Sequence, residues 1–216
     1  MAAYSLRLFT DQRPADAGPV ALAPGCNRVL YLVEGSASIT AGGAVATLAP
    51  NSAWSGPIAA EVQAGAKGMR LLRFELVPGD GRGGAGGTPT LLAPVTLDPA
   101  QPYLIRCDRV DFPPGGIAYR HTHQGPGIRC LQSGSIRIET AGTAHDYAAG
   151  EAWFESGPDP VLAIASERVP SHFIRVMILP RALLGKSSIR YVNAEDKDKP
   201  KRQSYQIFVD APIELQ

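Results

Sequence analysis

Residues 115–134, GGIAYRHTHQGPGIRCLQSG, decide the fold. His121 and His123 are separated by one residue, and side chains on a strand alternate with period two. Both imidazoles therefore fall on one face and can converge on a single ion or ligand. Pro113, Pro114 and Gly115 precede the pair, and Gly125, Pro126 and Gly127 follow it. This punctuation sets the pair near a turn at a strand end, where sites tend to be built.

Working outward, the same landmarks recur earlier in the chain. LYLVEGSASIT at 30–40 resembles RCLQSGSIRIET at 129–140, with Gly35 and Gly134 standing 99 residues apart. NSAWS at 51–55 resembles GEAWF at 150–154, and Trp54 and Trp153 are again 99 apart. MRLLRFELVP and HFIRVMILP end at Pro78 and Pro180, and their Arg73 and Arg175 share the same 102-residue separation. Three landmarks in one order at nearly constant offset indicate an internal duplication. Each copy is a series of short apolar runs. Ile136 and Ile138 alternate with Arg137 and Glu139 as in a half-buried strand, whereas 71–77 and 173–179 are nearly continuous apolar runs suited to a strand buried on both faces. Only PRALL at 180–184 looks like a helical turn. The 23 glycines and 19 prolines suit many turns rather than long helices. The fold class expected is all-β.

The 115–134 stretch resembles the first motif of the cupin superfamily: Gly, five residues, His-x-His, three residues, Glu, six residues, Gly. Gly115, His121, His123 and Gly134 hold four of the five fixed positions, and Gly127 stands where the family has a metal-binding Glu. In the second motif Gly150 fits the start, but Ser156, Pro158 and Val161 replace the usual Pro, Gly and last metal-binding His. The resemblance implies two tandem cupin (jelly-roll type) β-barrels. Residues 1–78 would form an N-terminal barrel without metal ligands, because positions equivalent to the His pair are Leu22 and Pro24. That copy would be structural, or a pocket for an apolar or neutral ligand. Residues 79–90 would be a glycine-rich linker open to protease, and 91–185 the second barrel. Residues 186–216 would extend it, with strands at 188–192 and 205–209 and a charged run at 195–202 read as a solvated loop. The apolar run 207–209 should cover a sheet edge.

For chemistry, the resemblance makes His121 and His123 candidate metal ligands, with Glu155 or His172 as candidates for a third. The cofactor would be a divalent transition metal: Fe, Mn, Zn or Ni. Two His and a carboxylate would suit Fe(II) and oxygen activation. Arg129 lies two residues from the missing Glu, so it faces the barrel interior and is a candidate clamp for an anionic small molecule. Tyr119, two residues before His121, is read as sharing its face. Two functions follow: a metal enzyme that oxidises or isomerises a small organic acid, or a non-catalytic module that binds or senses a small molecule at a degenerate site. A net charge of +1 gives no bulk attraction to nucleic acid or anionic membrane. No apolar run reaches the length of a membrane helix, and no secretory leader is legible. Three cysteines without a CxxC pair point to free thiols in a reducing, cytoplasmic setting. A homodimer is left open.

Overall fold

The computed structural model describes residues 1–80 and 87–216. Most of the glycine run expected as a linker, 81–86, lies outside them. The described residues fold as strands joined by turns, with two short 3₁₀ segments, Arg181–Leu183 and Ala194–Lys197. The fold is all-β, and the chain divides into two compact units: Met1–Gln101 with Ile213–Gln216, and Pro102–Pro212. No helix among the described residues is long and apolar enough to cross a membrane. The three cysteines are free and buried.

The first unit holds β1 (Ala2–Arg13), β2 (Val20–Leu22), β3 (Asn27–Ala41), β4 (Ala44–Leu48), β5 (Ser52–Gly56), β6 (Ala60–Pro78) and β7 (Leu91–Leu97). They form one sheet in the order β4-β3-β6-β1-β7, with β2 also on β6 and β5 also on β3. The unit boundary falls later than the sequence suggests. β7 pairs antiparallel with β1, Leu97 opposite Ala2 and Leu91 opposite Leu8, so residues after the glycine run still belong to the first barrel.

The second unit holds β8 (Tyr103–Phe112), β9 (Ile117–His123), β10 (Gly127–Ser133), β11 (Ser135–Thr140), β12 (Thr143–Ala148), β13 (Ala152–Glu155), β14 (Val161–Ala165), β15 (Ser171–Pro180), β16 (Ile189–Tyr191) and β17, which runs Ser204–Ile213. They form two five-stranded sheets, β13-β10-β15-β8-β17 and β12-β11-β14-β9-β16. Apolar side chains of both sheets meet in one core that includes Val110, Phe112, Leu131, Ile138, Trp153 and Phe173.

Strand register carries the duplication. Leu30 pairs with Trp54 and with Arg73, and Arg129 pairs with Trp153 and with Arg175. Tyr4 pairs with Pro78 as Tyr103 pairs with Pro180. The repeated glycine has a steric cause. Gly35 (φ +80°) sits where β3 crosses β6 with a register shift, and a Cβ there would lie 2.0 Å from the Gly68 carbonyl oxygen. Gly134 (φ +73°) sits between β10 and β11, where a Cβ would lie 2.3 Å from Ser171 Oγ. Gly35→Ala is expected to cost roughly 2–5 kcal/mol, from left-handed backbone and overpacking together. The measurement is a lower denaturant midpoint with unchanged slope. Gly18→Ala, with nothing within 4 Å of its added Cβ, is the control and should leave the midpoint in place.

The two interiors differ. In the first unit Leu22 and Leu30 occupy the positions of His121 and Arg129, inside an apolar core with Leu32, Ile39 and Leu71. Nearby, Glu75 is buried against Arg7 at 2.6 Å, Arg73 at 2.9 Å and Arg28 at 3.6 Å. Burial opposes the Glu75 charge, but Arg73 and Arg7 outweigh it and hold the carboxyl below its ordinary value. The reading of this copy as structural, or as a pocket for an apolar or neutral ligand, did not include this buried charge cluster.

Candidate functional site

A cavity of about 170 Å³ opens between the two sheets of the second unit. Its polar floor is built from five strands. β9 supplies His121 and His123, β10 supplies Arg129, β13 supplies Glu155, β15 supplies Arg175 and β8 supplies Asp108. The walls are apolar: Phe112, Ile138, Trp153, Val161 and Phe173.

The His pair is brought together as the period-two reading requires. Both residues are buried, and their rings meet edge to face with centroids 4.9 Å apart. His121 Nδ1 lies 2.7 Å from the Tyr119 carbonyl oxygen. That contact fixes the proton on Nδ1 and leaves Nε2 an acceptor. His123 Nδ1 lies 3.2 Å from Ser188 Oγ, while Arg175 Nη1 lies 3.3 Å from His123 Nε2. Burial pushes both imidazoles below their ordinary pKa, and the Arg175 and Arg129 charges push the same way, His123 the further. Both rings are therefore neutral near pH 7.

Arg129 points into the barrel and is fully enclosed. Its Nη1 donates to the Gly127 carbonyl at 2.6 Å, and its Nη2 lies 2.7 Å from Glu155 Oε2. That ion contact is not aligned as a hydrogen bond: Arg129 Nη2 and Glu155 Oε2 are both buried without a hydrogen-bond partner. Glu155 Oε1 accepts from Trp153 Nε1 at 2.8 Å. Burial pulls the Arg129 pKa down to about 10, so it remains a cation at neutral pH. Arg175 is gripped by both Asp108 oxygens at 2.9 and 2.8 Å. Burial opposes its charge, yet Asp108 raises its pKa.

Two candidate residues lie elsewhere. His172 is half-buried, its Nδ1 2.6 Å from Ser133 Oγ, on the opposite strand face from the cavity-lining Phe173 and Arg175. It is not assembled with the His pair. Tyr119 does not share the face of His121. β9 pairs with β14 at His121–Val161 and at Ala118–Ala163, so β9 carries one extra residue between these points. This bulge re-aims the strand. Ala118 takes the cavity face, and the Tyr119 ring sits under Lys199 Nζ at 4.9 Å. His145 is exposed on β12, its ring 4.8 Å from Tyr147.

The sequence reading missed the tail as part of the site. β16 pairs with β9, Ile189 opposite His123 and Tyr191 opposite His121. Ser188, Ile189, Tyr191, Lys201, Gln203 and Tyr205 all line the cavity. Of these, only Tyr205 stands on β17, and Lys201 and Gln203 reach the cavity from the chain just before it, so strand parity could not have placed them. The charged run before them is not simply solvated. Asp196 is buried and accepts from Lys199 Nζ at 2.6 Å and Asn193 Nδ2 at 3.0 Å, and Lys201 Nζ donates to the backbone carbonyls of Asp196, Lys197 and Lys199.

These residues do not make the metal site that the resemblance implies. Gly127 and Val161 supply no donor, Glu155 is committed to Arg129, and Arg175 faces the nitrogen through which His123 would ligate. No group of three or more His, Cys, Asp or Glu among the described residues is placed to hold an ion. Two guanidinium charges beside the pair also oppose a divalent cation.

No family profile matches the chain, and no curated protein matches it in sequence. Solved structures do match in fold. AerE from Microcystis aeruginosa is 9% identical at a TM-score of 0.57, over 83% of this chain and 88% of that one. A deletion mutant of oxalate decarboxylase from Bacillus subtilis is 13% identical at 0.60, over 92% and 73%. A variant of salicylate 1,2-dioxygenase from Pseudoaminobacter salicylatoxidans is 10% identical at 0.53, over 88% and 73%. The chain shares the all-β fold of these structures, the fold class that the motif resemblance implies. At these identities the likeness is one of fold.

Proposed function

We propose that the second unit is a receptor for a small organic molecule, held by hydrogen bonds and apolar contact without a metal ion. The observation that carries this reading is the cavity of the second unit, in whose lining Gln203 Oε1 is a buried acceptor without a hydrogen-bond partner, beside apolar walls. Buried polar groups are almost always satisfied, so such an atom marks a place for a further partner. A cavity with apolar walls and a few convergent polar groups is the usual form of a small-molecule site. The non-catalytic binding module follows from this reading.

A specific observation favours a second reading. The His121 and His123 Nδ1 atoms are both engaged, which is how a ligating imidazole is oriented. Glu155 Oε2 lies 3.9 Å from His123 Nε2. If Glu155 left Arg129, a divalent ion such as Fe, Mn, Zn or Ni would find two His and one carboxylate, a set suited to oxygen activation.

Calorimetric titration with Fe(II), Mn(II), Zn(II) and Ni(II) decides between them. The receptor reading expects wild type to give no more heat than a His121→Ala/His123→Ala variant. Stoichiometric binding by wild type that disappears in that variant, and in Glu155→Ala, would establish the metal reading instead.

A further inference from the structure

We infer that the polar end of the ligand is a neutral hydroxyl on a single aromatic ring, that is, a phenol; the inference rests on the receptor reading above and names its ligand class.

The first ground is charge. Each buried guanidinium in the lining already has its carboxylate: Arg129 with Glu155, Arg175 with Asp108, and Arg106 with Asp210 at 2.9 Å. Lys201 also lines the cavity, but its ammonium is taken up by three backbone carbonyls. A ligand carboxylate would bring a further anion beside Glu155 and Asp108 with no unmatched buried cation to meet it. Desolvation without a partner makes that arrangement unfavourable.

The second ground is the balance of donors and acceptors. Glu155 Oε2 and Gln203 Oε1 are buried acceptors without a hydrogen-bond partner, and Arg129 Nη2 is a buried donor without one. His121 Nε2 is an acceptor because Nδ1 holds the proton. Arg129 Nη2 and Glu155 Oε2 already lie 2.7 Å apart as an ion pair, so the open positions are two acceptors, His121 Nε2 and Gln203 Oε1, and the ligand group that faces them must donate. A hydroxyl donates without carrying charge. A carbonyl and a carboxylate have no proton to give, and an ammonium brings a charge that must be desolvated.

The third ground is shape. Phe173 packs against Phe112 with centroids 6.0 Å apart and edge-on to Trp153 at 5.3 Å, so three aromatic side chains contribute to the wall. The cavity volume is about 170 Å³. An apolar cavity of about 150 Å³ takes up a benzene ring. One ring with its hydroxyl at the polar floor matches both the size and the walls.

The test uses the full chain and three probes that share one ring: p-cresol, toluene and p-toluate. Binding is measured by calorimetry, and its place is read from the Trp153 indole N–H signal in NMR, assigned with Trp54→Phe. p-Cresol is expected to bind about 3- to 10-fold tighter than toluene, the ratio that one neutral hydrogen bond gives. p-Toluate is expected to bind more weakly than toluene. The Trp153 signal, whose N–H lines the cavity and donates to Glu155 Oε1, should shift on adding p-cresol. Equal binding of p-cresol and toluene would overturn hydroxyl recognition and leave the receptor reading intact. Tightest binding by p-toluate would overturn it in favour of an anionic ligand. Binding of none of the three, or binding that leaves the Trp153 signal unmoved, would remove the receptor reading and this inference together.

Discussion

Glu155→Leu is expected to lower the stability of the second unit by about 3–5 kcal/mol, the usual effect of leaving a buried charge without its partner. Arg129 is about 1% exposed, so water cannot replace the carboxylate. The loss should be far smaller when both partners go. In Arg129→Leu/Glu155→Leu no buried charge remains, and apolar replacement of a buried pair is often neutral or better. The first unit shows that the same framework accepts this, with Leu30 in the place of Arg129 and Gly56 in the place of Glu155. Recovery will fall short of complete. The Gly127 carbonyl loses its donor and Trp153 Nε1 its acceptor, at about 1 kcal/mol each. The measurement is denaturant unfolding followed by Trp153 fluorescence in a Trp54→Phe background, which reads the second unit by itself. A double variant as unstable as the two single losses added together would show that the two residues are not coupled.

Part of this was legible in the chain because the duplication rests on steric necessity. Gly35 and Gly134 recur because a side chain at either would strike the crossing strand. Trp54 and Trp153 recur because each faces the equivalent residue of the neighbouring strand. The facing of Arg129 followed from strand parity alone. Parity also misled, since it holds only while a strand is regular. One inserted residue between Ala118 and His121 carries Tyr119 off the cavity face, and no local residue pattern announces the bulge. The domain boundary was misplaced for another reason. A glycine run marks where chain is flexible in composition, whereas β7 belongs with β1 through backbone hydrogen bonds that any sequence could make. The pairing of Arg129 with Glu155 joins residues 26 apart, and of Arg175 with Asp108 residues 67 apart. Such partners are set by strand order, which motif spacing does not encode.

Removal of residues 199–216 is expected to lower the melting temperature of the second unit by at least roughly 10 °C, at about 4–8 °C per kcal/mol for a domain of this size. β17 is the edge strand of its sheet and hydrogen-bonds β8. Deleting it uncovers the β8 edge, which then becomes a template for association. It also strips Asp210 from Arg106, a guanidinium about 3% exposed and held by both Asp210 oxygens at 2.9 Å. Breaking one buried ion pair of this kind costs about 3–5 kcal/mol. Asp210 further accepts the Gly185 amide at 2.8 Å, so the turn after Arg181–Leu183 loosens with it. Asp210→Asn separates the two contributions, because it removes the charge and keeps the strand. It should melt between wild type and the deletion. The deletion also removes Lys201, Gln203 and Tyr205 from the cavity wall, so p-cresol affinity should fall even at temperatures where the truncated chain stays folded. Asp210→Asn, folded at the same temperature, should keep that affinity. A truncated chain that melts within about 2 °C of wild type, well inside the shift expected for one lost kcal/mol, would show that β17 neither holds the sheet edge nor secures Arg106.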